Sequence, residues 1–220
     1  NSITSFGINH VVPHGINVNR KIEADPYPPD WFTENPYWPY LHNWTDFSRR
    51  AAFVNRQSKL VADVLLVNPL ESIWANSEGL FTHEERFDLM ESTEVWDTLS
   101  LEINQVYSDA MRELNRNNID FLIADKYYLD RGKIGSNDRD VKITINHHDF
   151  SAIVLPPACV ISHVVSAKLL AFAEKGGVVL LLGATPEGSP EKGMKDPAII
   201  RQMTALKRLP NVIDLSGDKD

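Results

Sequence analysis

Four apolar runs of strand length, at 63–67, 121–124, 152–155 and 178–182, recur between stretches long enough to be helices. Each is built from Val, Leu, Ile, Phe and Ala with almost no polar alternation, so both faces of the strand must be buried. Strands of that kind, alternating with helices, make a parallel sheet covered on both sides. Between the first two runs, Leu99, Ile103, Val106, Tyr107, Ala110, Met111 and Leu114 fall on one face of a helix predicted over 95–116. Ser162 is placed to cap a helix over 163–174, which Gly176-Gly177 would end. A helix over 197–206 and a last short strand over 212–214 close the series. Pro69 and Pro156-Pro157 stop the strands that precede them. The residues between are less regular. Segment 70–93 reads as loop with a short turn near 83–91, and 126–146 as a polar stretch whose Val141, Ile143 and Ile145 alternate as in a small edge hairpin.

The first 62 residues have another character. Residues 8–13 predict a short buried strand, with His14, Gly15 and Asn17 at its end. A long irregular loop over 18–44 follows, carrying Tyr27, Trp31, Phe32, Tyr37, Trp38, Tyr40 and Trp44 among Pro26, Pro28, Pro29, Pro36 and Pro39. Prolines fix φ and remove donors, which orders such a segment without regular structure. Thr45 is then a good N-cap, with Asp46 in the first turn, for a helix running to about Ala62. A strand that ends in polar side chains and opens into an aromatic loop is how a (β/α)8 barrel builds its functional face. The boundary expected from these patterns separates 1–62 from 63–220.

Composition narrows the partners. A formal charge of -8 disfavours nucleic acid and anionic membranes, which need a basic surface. No apolar run approaches the roughly 18 residues that span a bilayer. Cys159 is the single cysteine, so no intrachain disulfide and no cysteine-built zinc site can form. The chain starts at Asn1 without a signal-like segment, and a lone barrel strand needs neighbours, so a preceding segment is expected. The compartment stays open: secreted or periplasmic in a bacterium, cytoplasmic otherwise.

The run Gly7-Ile8-Asn9-His10-Val11-Val12-Pro13-His14-Gly15, the Trp/Pro loop and the helix leading into Ala62-Asp63-Val64-Leu65-Leu66 resemble the end of the catalytic barrel of large glycoside hydrolases. The resemblance is to the family 106 α-L-rhamnosidase-like group. Phe121-Leu122-Ile123-Ala124-Asp125, Phe150-Ser151-Ala152-Ile153-Val154-Leu155-Pro156-Pro157 and Gly176-Gly177-Val178-Val179 resemble the flavodoxin-like, class I glutamine-amidotransferase-like domain that follows such barrels. A similar domain follows the barrel in β-galactosidases of family 42. The resemblance implies a hydrolase acting on a plant or microbial polysaccharide. Its acid and base would lie on earlier barrel strands, and the second domain would brace the barrel or carry a homo-oligomer contact.

A sugar site needs flat aromatic faces for the C–H side of the ring, and amides, imidazoles and carboxylates for its hydroxyls. His14, Asn17, Trp38 and Trp44 are the substrate-binding candidates on this reading. His14 would point from the strand end into the pocket, while His10 in mid-strand would pack inside the barrel or against a helix. The same aromatics could instead pack on one another to hold the loop. Glu23, Asp25, Asp30, Glu34 and Asp46 show no spacing that singles out an acid–base pair, and none is assigned. No cofactor is expected, although the resemblance leaves calcium open as a ligand of these carboxylates. Cys159 is preceded by two prolines and an alanine and followed by Val160, which is no glycine-flanked nucleophile turn, so it is read as inert. His147-His148-Asp149 reads as a pre-strand turn rather than a metal site. The competing reading is a non-catalytic α/β scaffold or oligomerisation module.

Overall fold

The structure, a computed structural model, describes residues 8–12, 33–76, 98–137 and 140–216. The chain divides into two compact units, Asn1–Leu60 and Val61–Asp220.

In the first unit, a single 3-10 turn over Trp38–Tyr40 runs into helix α1, Leu41–Gln57. Asn35 starts the turn: its side-chain oxygen accepts from the Tyr37 amide at 2.9 Å and its carbonyl from the Trp38 amide at 2.8 Å. Pro39 then supplies a φ already suited to a first helical turn. The helix therefore begins before Thr45, the predicted cap. Thr45 sits inside it, and its hydroxyl donates to the His42 carbonyl at 3.1 Å. The helix also stops earlier than expected, where Ser58 turns to extended backbone.

Residues 8–12 form no strand, which corrects the sequence reading. Their backbone lies along α1: the Asn55 side-chain Nδ2 donates to the Ile8 carbonyl at 2.9 Å and the Arg56 Nε to the Asn9 carbonyl at 3.2 Å. Val12 is 76% exposed. A buried strand needs neighbours for its ladder, and none pairs with this segment among the described residues. Nor is any residue of α1 buried.

The second unit is an α/β layer. Its elements are β1 (Val64–Val67), α2 (Leu70–Asn76), α3 (Thr98–Arg116), β2 (Phe121–Ala124), α4 (Lys126–Arg131), β3 (Lys133–Asn137), β4 (Asp140–Ile145), β5 (His148–Phe150), β6 (Ala152–Leu155), α5 (His163–Glu174), β7 (Val178–Leu181), α6 (Pro197–Leu206) and β8 (Val212–Asp214). Strands β2-β1-β6-β7-β8 form one sheet in that order, every pair parallel. Counting the parallel strands alone, the order is 2-1-3-4-5, one of the two common doubly wound arrangements. Leu65, Leu66 and Val67 of β1, and Ile153, Val154 and Leu155 of β6, are buried in succession. That pattern requires cover on both faces, as their unbroken apolar sequence implies. The edge strands β2 and β8 are more open.

The predicted edge hairpin is instead a separate three-stranded antiparallel sheet, β3-β4-β5, preceded by the short helix α4. Asn146, at a φ of 54°, makes the tight turn between β4 and β5. The alternation seen in sequence puts Ile143 and Ile145 into the main core, together with Phe150. Residues 70–76, read as loop, form α2.

Helix α5 is the most apolar of the covering helices, with Val165, Leu169, Phe172 and Ala173 buried. Ser162 holds its N-cap position, but its hydroxyl makes no cap hydrogen bond to the helix. The Glu191 carboxylate instead accepts from the His163 amide at 3.3 Å. At the other end Gly176 adopts a φ of 100°, the left-handed stop expected there. Helix α6 is capped by Asp196, which accepts from the Ala198 amide at 2.9 Å.

Candidate functional site

Helix α1 carries a groove of about 410 Å³ walled by Trp44, Thr45, Ser48, Arg49 and Phe53 from successive turns, with His10 beside Arg56. The 3.6-residue repeat sets Trp44 and Ser48, and Thr45 and Arg49, one above the other. Arg56 Nη2 lies 2.9 Å from His10 Nδ1, so the imidazole is fixed against the helix, one of the two placements expected for His10. Arg49 pairs with Asp46 at 3.2 Å, which reserves that carboxylate for the helix surface. The groove therefore mixes an indole and a phenyl ring with hydroxyls, an imidazole and two guanidinium groups.

Of the predicted sugar-binding residues, Trp44 lines this groove and is 38% exposed. Trp38 is half-buried in the 3-10 turn and is not among the groove's lining residues. His14 and Asn17 lie outside the described residues, as do Glu23, Asp25 and Asp30. Among the described residues no three His, Cys, Asp or Glu side chains are grouped so as to hold a metal ion.

The second unit has a cleft of its own at the carboxyl ends of β1, β2 and β6. One hollow of about 280 Å³ is floored by Val67, Leu155, Ile161 and Val165. An adjoining one of about 640 Å³ reaches out to Met194, and the two share Glu71, Trp74, Lys126 and Val160. Glu71 comes from the first turn of α2 and Lys126 from the start of α4, each just past a parallel strand, β1 and β2. Glu71 Oε2 accepts from the Ser162 amide at 2.8 Å, and Oε1 lies 3.8 Å from Lys126 Nζ. Burial pushes the Glu71 carboxyl up, opposed by the Ser162 amide and the Lys126 charge.

Cys159 stands just beyond β6, in the turn that follows the strand. Ser72 occupies the surroundings of that turn. Its hydroxyl oxygen accepts from the amides of Cys159 and Val160, both at 3.1 Å, and donates to the Val160 carbonyl at 2.7 Å. Those two amides are therefore spent and cannot form an oxyanion hole. The thiol sulfur accepts from Asn76 at 2.9 Å. His163, four residues on, is engaged elsewhere: Nε2 lies 2.5 Å from Asp196 Oδ2, which also accepts from the Ser189 hydroxyl at 2.6 Å. The reading of Cys159 as inert agrees with this geometry.

The sequence analysis missed Glu71, Trp74 and Lys126. The available signal was positional: polar residues directly after an apolar parallel strand lie where open α/β sheets bind ligands.

No protein-family model and no curated protein matches the chain. Among solved structures, a β-galactosidase from Bifidobacterium adolescentis is similar at 14% identity and a TM-score of 0.36. The match covers 66% of this chain and 54% of the β-galactosidase chain, so the chain corresponds to about half of that protein's length.

Proposed function

We propose that the chain is part of a glycoside hydrolase acting on a plant or microbial polysaccharide, of the α-L-rhamnosidase-like kind. On this reading the first 62 residues belong to the rim of a (β/α)8 barrel, and 63–220 form a flavodoxin-like accessory domain related to class I glutamine amidotransferases. The α1 groove carries the reading, because it sets Trp44 and Phe53 beside the Thr45 and Ser48 hydroxyls and two guanidinium groups. Rings for a C–H face next to donors and acceptors for hydroxyls are what a pyranose requires. Uncovered apolar residues of the same unit outside the groove fit a barrel segment: Phe47 is 47% and Val54 59% exposed. The 2-1-3-4-5 strand order supports the flavodoxin-like assignment. The two carboxyl groups that glycoside hydrolysis takes belong, on this reading, to other barrel strands.

The test is kinetic. In the full-length protein, Trp44→Ala should raise KM for an aryl α-L-rhamnoside about 10-fold, with little change in melting temperature. A variant that only melts earlier, with KM unchanged, makes Trp44 a packing residue. A second reading, the non-catalytic scaffold, draws on the tied-up turn at Cys159. Absence of turnover on a panel of aryl glycosides would favour it.

A further inference from the structure

The cleft in the unit Val61–Asp220 has no part in the reaction proposed above. It lies where the order β2-β1-β6 reverses the direction in which the chain crosses the sheet. The chain leaving β1 moves along the sheet toward β2 and the chain leaving β6 moves the other way toward β7, which leaves the ends of β1 and β6 open between them. Its larger hollow, about 640 Å³, is within the roughly 300–1,000 Å³ of small-molecule sites.

We propose that this cleft binds a neutral pyranose ring, with the Trp74 indole as stacking platform and Glu71 and Lys126 as partners for adjacent hydroxyls. Three observations favour that ligand class over others. First, Trp74 stands 65% exposed at the mouth of an apolar floor, a large flat surface offered to solvent beside buried aliphatic side chains. Second, the cleft presents an acceptor and a donor side by side. Glu71 Oε1 and Lys126 Nζ are 3.8 Å apart, beyond hydrogen-bond reach, so each keeps capacity for a third group placed between them. Two neighbouring ring hydroxyls, each both donor and acceptor, match that pair. Third, the charges around the cleft oppose an anionic ligand: Glu71 and Asp125 line it, Glu191 bears on Glu71, and Lys126 is the single cation among the described lining residues. The other aromatic at the cleft, Tyr127, offers less to a cation because the Arg131 guanidinium already lies 3.8 Å over its ring. The choice of sugars for the test rests on the glycosidase reading; the geometry of the cleft does not.

The experiment is a titration of the ¹⁵N-labelled chain with methyl α-L-rhamnopyranoside and methyl β-D-galactopyranoside, following the indole N–H signals. The Trp74 signal is identified by its loss in Trp74→Ala. At least one sugar should shift that signal with saturation in the millimolar range. Trp74→Ala, followed by the backbone amide signals that the sugar moves in the parent, should weaken binding about 10-fold, equivalent to about 1.4 kcal/mol. Glu71→Gln keeps the shape of the side chain and should weaken binding about 3-fold. Turnover of aryl glycosides by the full-length protein should be the same with Trp74→Ala as without it. The proposal is overturned if neither sugar moves the Trp74 signal, or if cyclohexanol moves it as strongly, which would mean an apolar hollow without sugar recognition. Unchanged affinity in both variants also overturns it. A Trp74 response together with no glycoside hydrolysis by the full-length protein would keep the cleft and remove the glycosidase reading.

Discussion

Asp196 is buried at the start of α6, yet its carboxylate is favoured as the anion by the groups that face it. The Ser189 hydroxyl, the His163 ring and the Ala198 amide all point at its two oxygens. Ser189 foremost, then His163, holds the carboxyl well below the usual carboxylate range. A lowered folded-state value makes the stabilisation complete above the ordinary 3.8 and lost as pH falls from there toward the depressed value. Asp196→Asn should therefore melt several degrees earlier at neutral pH and approach the parent in strong acid, as read by thermal unfolding at a series of pH values. Glu71 has the opposite sign, because burial raises its value above 4.5. Its contribution is fully present below 4.5 and lost as pH rises through the raised value. Glu71→Gln should remove that loss, which the same melting series would show as a flatter profile above pH 4.5.

At the scale of elements, α5 and α1 end in opposite surroundings, one against the sheet and one with every side chain at least partly open. Helix α5 buries Leu169 and Phe172 completely against the sheet. Leu169→Ala should cost about 2–5 kcal/mol, since the void has rigid neighbours. The end of the same helix is equally tight: a methyl group on Gly177 would meet the Phe172 ring, whereas at Gly135 nothing lies within 4 Å. Gly177→Ala should destabilise by about 1–3 kcal/mol and Gly135→Ala by under about 0.5 kcal/mol, measured by urea unfolding. Equal effects at the two positions would contradict this account of α5. Helix α1 has no buried residue to set against these. Its Phe47→Ser variant should leave the stability of this chain within about 0.5 kcal/mol, and destabilise a longer protein in which a barrel covers that face.

For the whole molecule, the difference between the two units leads to a fragment prediction. The unit Val61–Asp220 contains a continuous core from Ala62 to Leu206, drawn from every strand of the parallel sheet's centre and from α5 and α6. A chain of residues 61–220 should fold alone with one cooperative transition by circular dichroism. Residues 1–60 should give no such transition, because their helix buries no apolar side chain. A gradual, non-cooperative melt of 61–220 would mean that its core depends on the first unit.

Sequence alone determined the elements whose signal is local. Continuous apolar runs marked β1, β2, β6 and β7; Pro197 and Gly176 bounded helices; the alternation at Val141, Ile143 and Ile145 marked a strand. Period and punctuation are properties of a few neighbouring residues, and they survive into the fold unchanged. What the tertiary structure decided is everything that needs partners distant in the chain. Residues 8–12 look like a strand but have no neighbour to pair with, and Thr45 looks like a cap but follows a turn already begun by Asn35 and Pro39. The cleft shows the same limit. Glu71, Trp74 and Lys126 are ordinary residues in sequence, and only the order β2-β1-β6 brings α2 and α4 to one opening. The Ser72 hydroxyl that closes the turn at Cys159 comes from 87 residues away. No window on the sequence holds both groups, so the chemistry of that turn is decided by the packing of α2 on the end of β6.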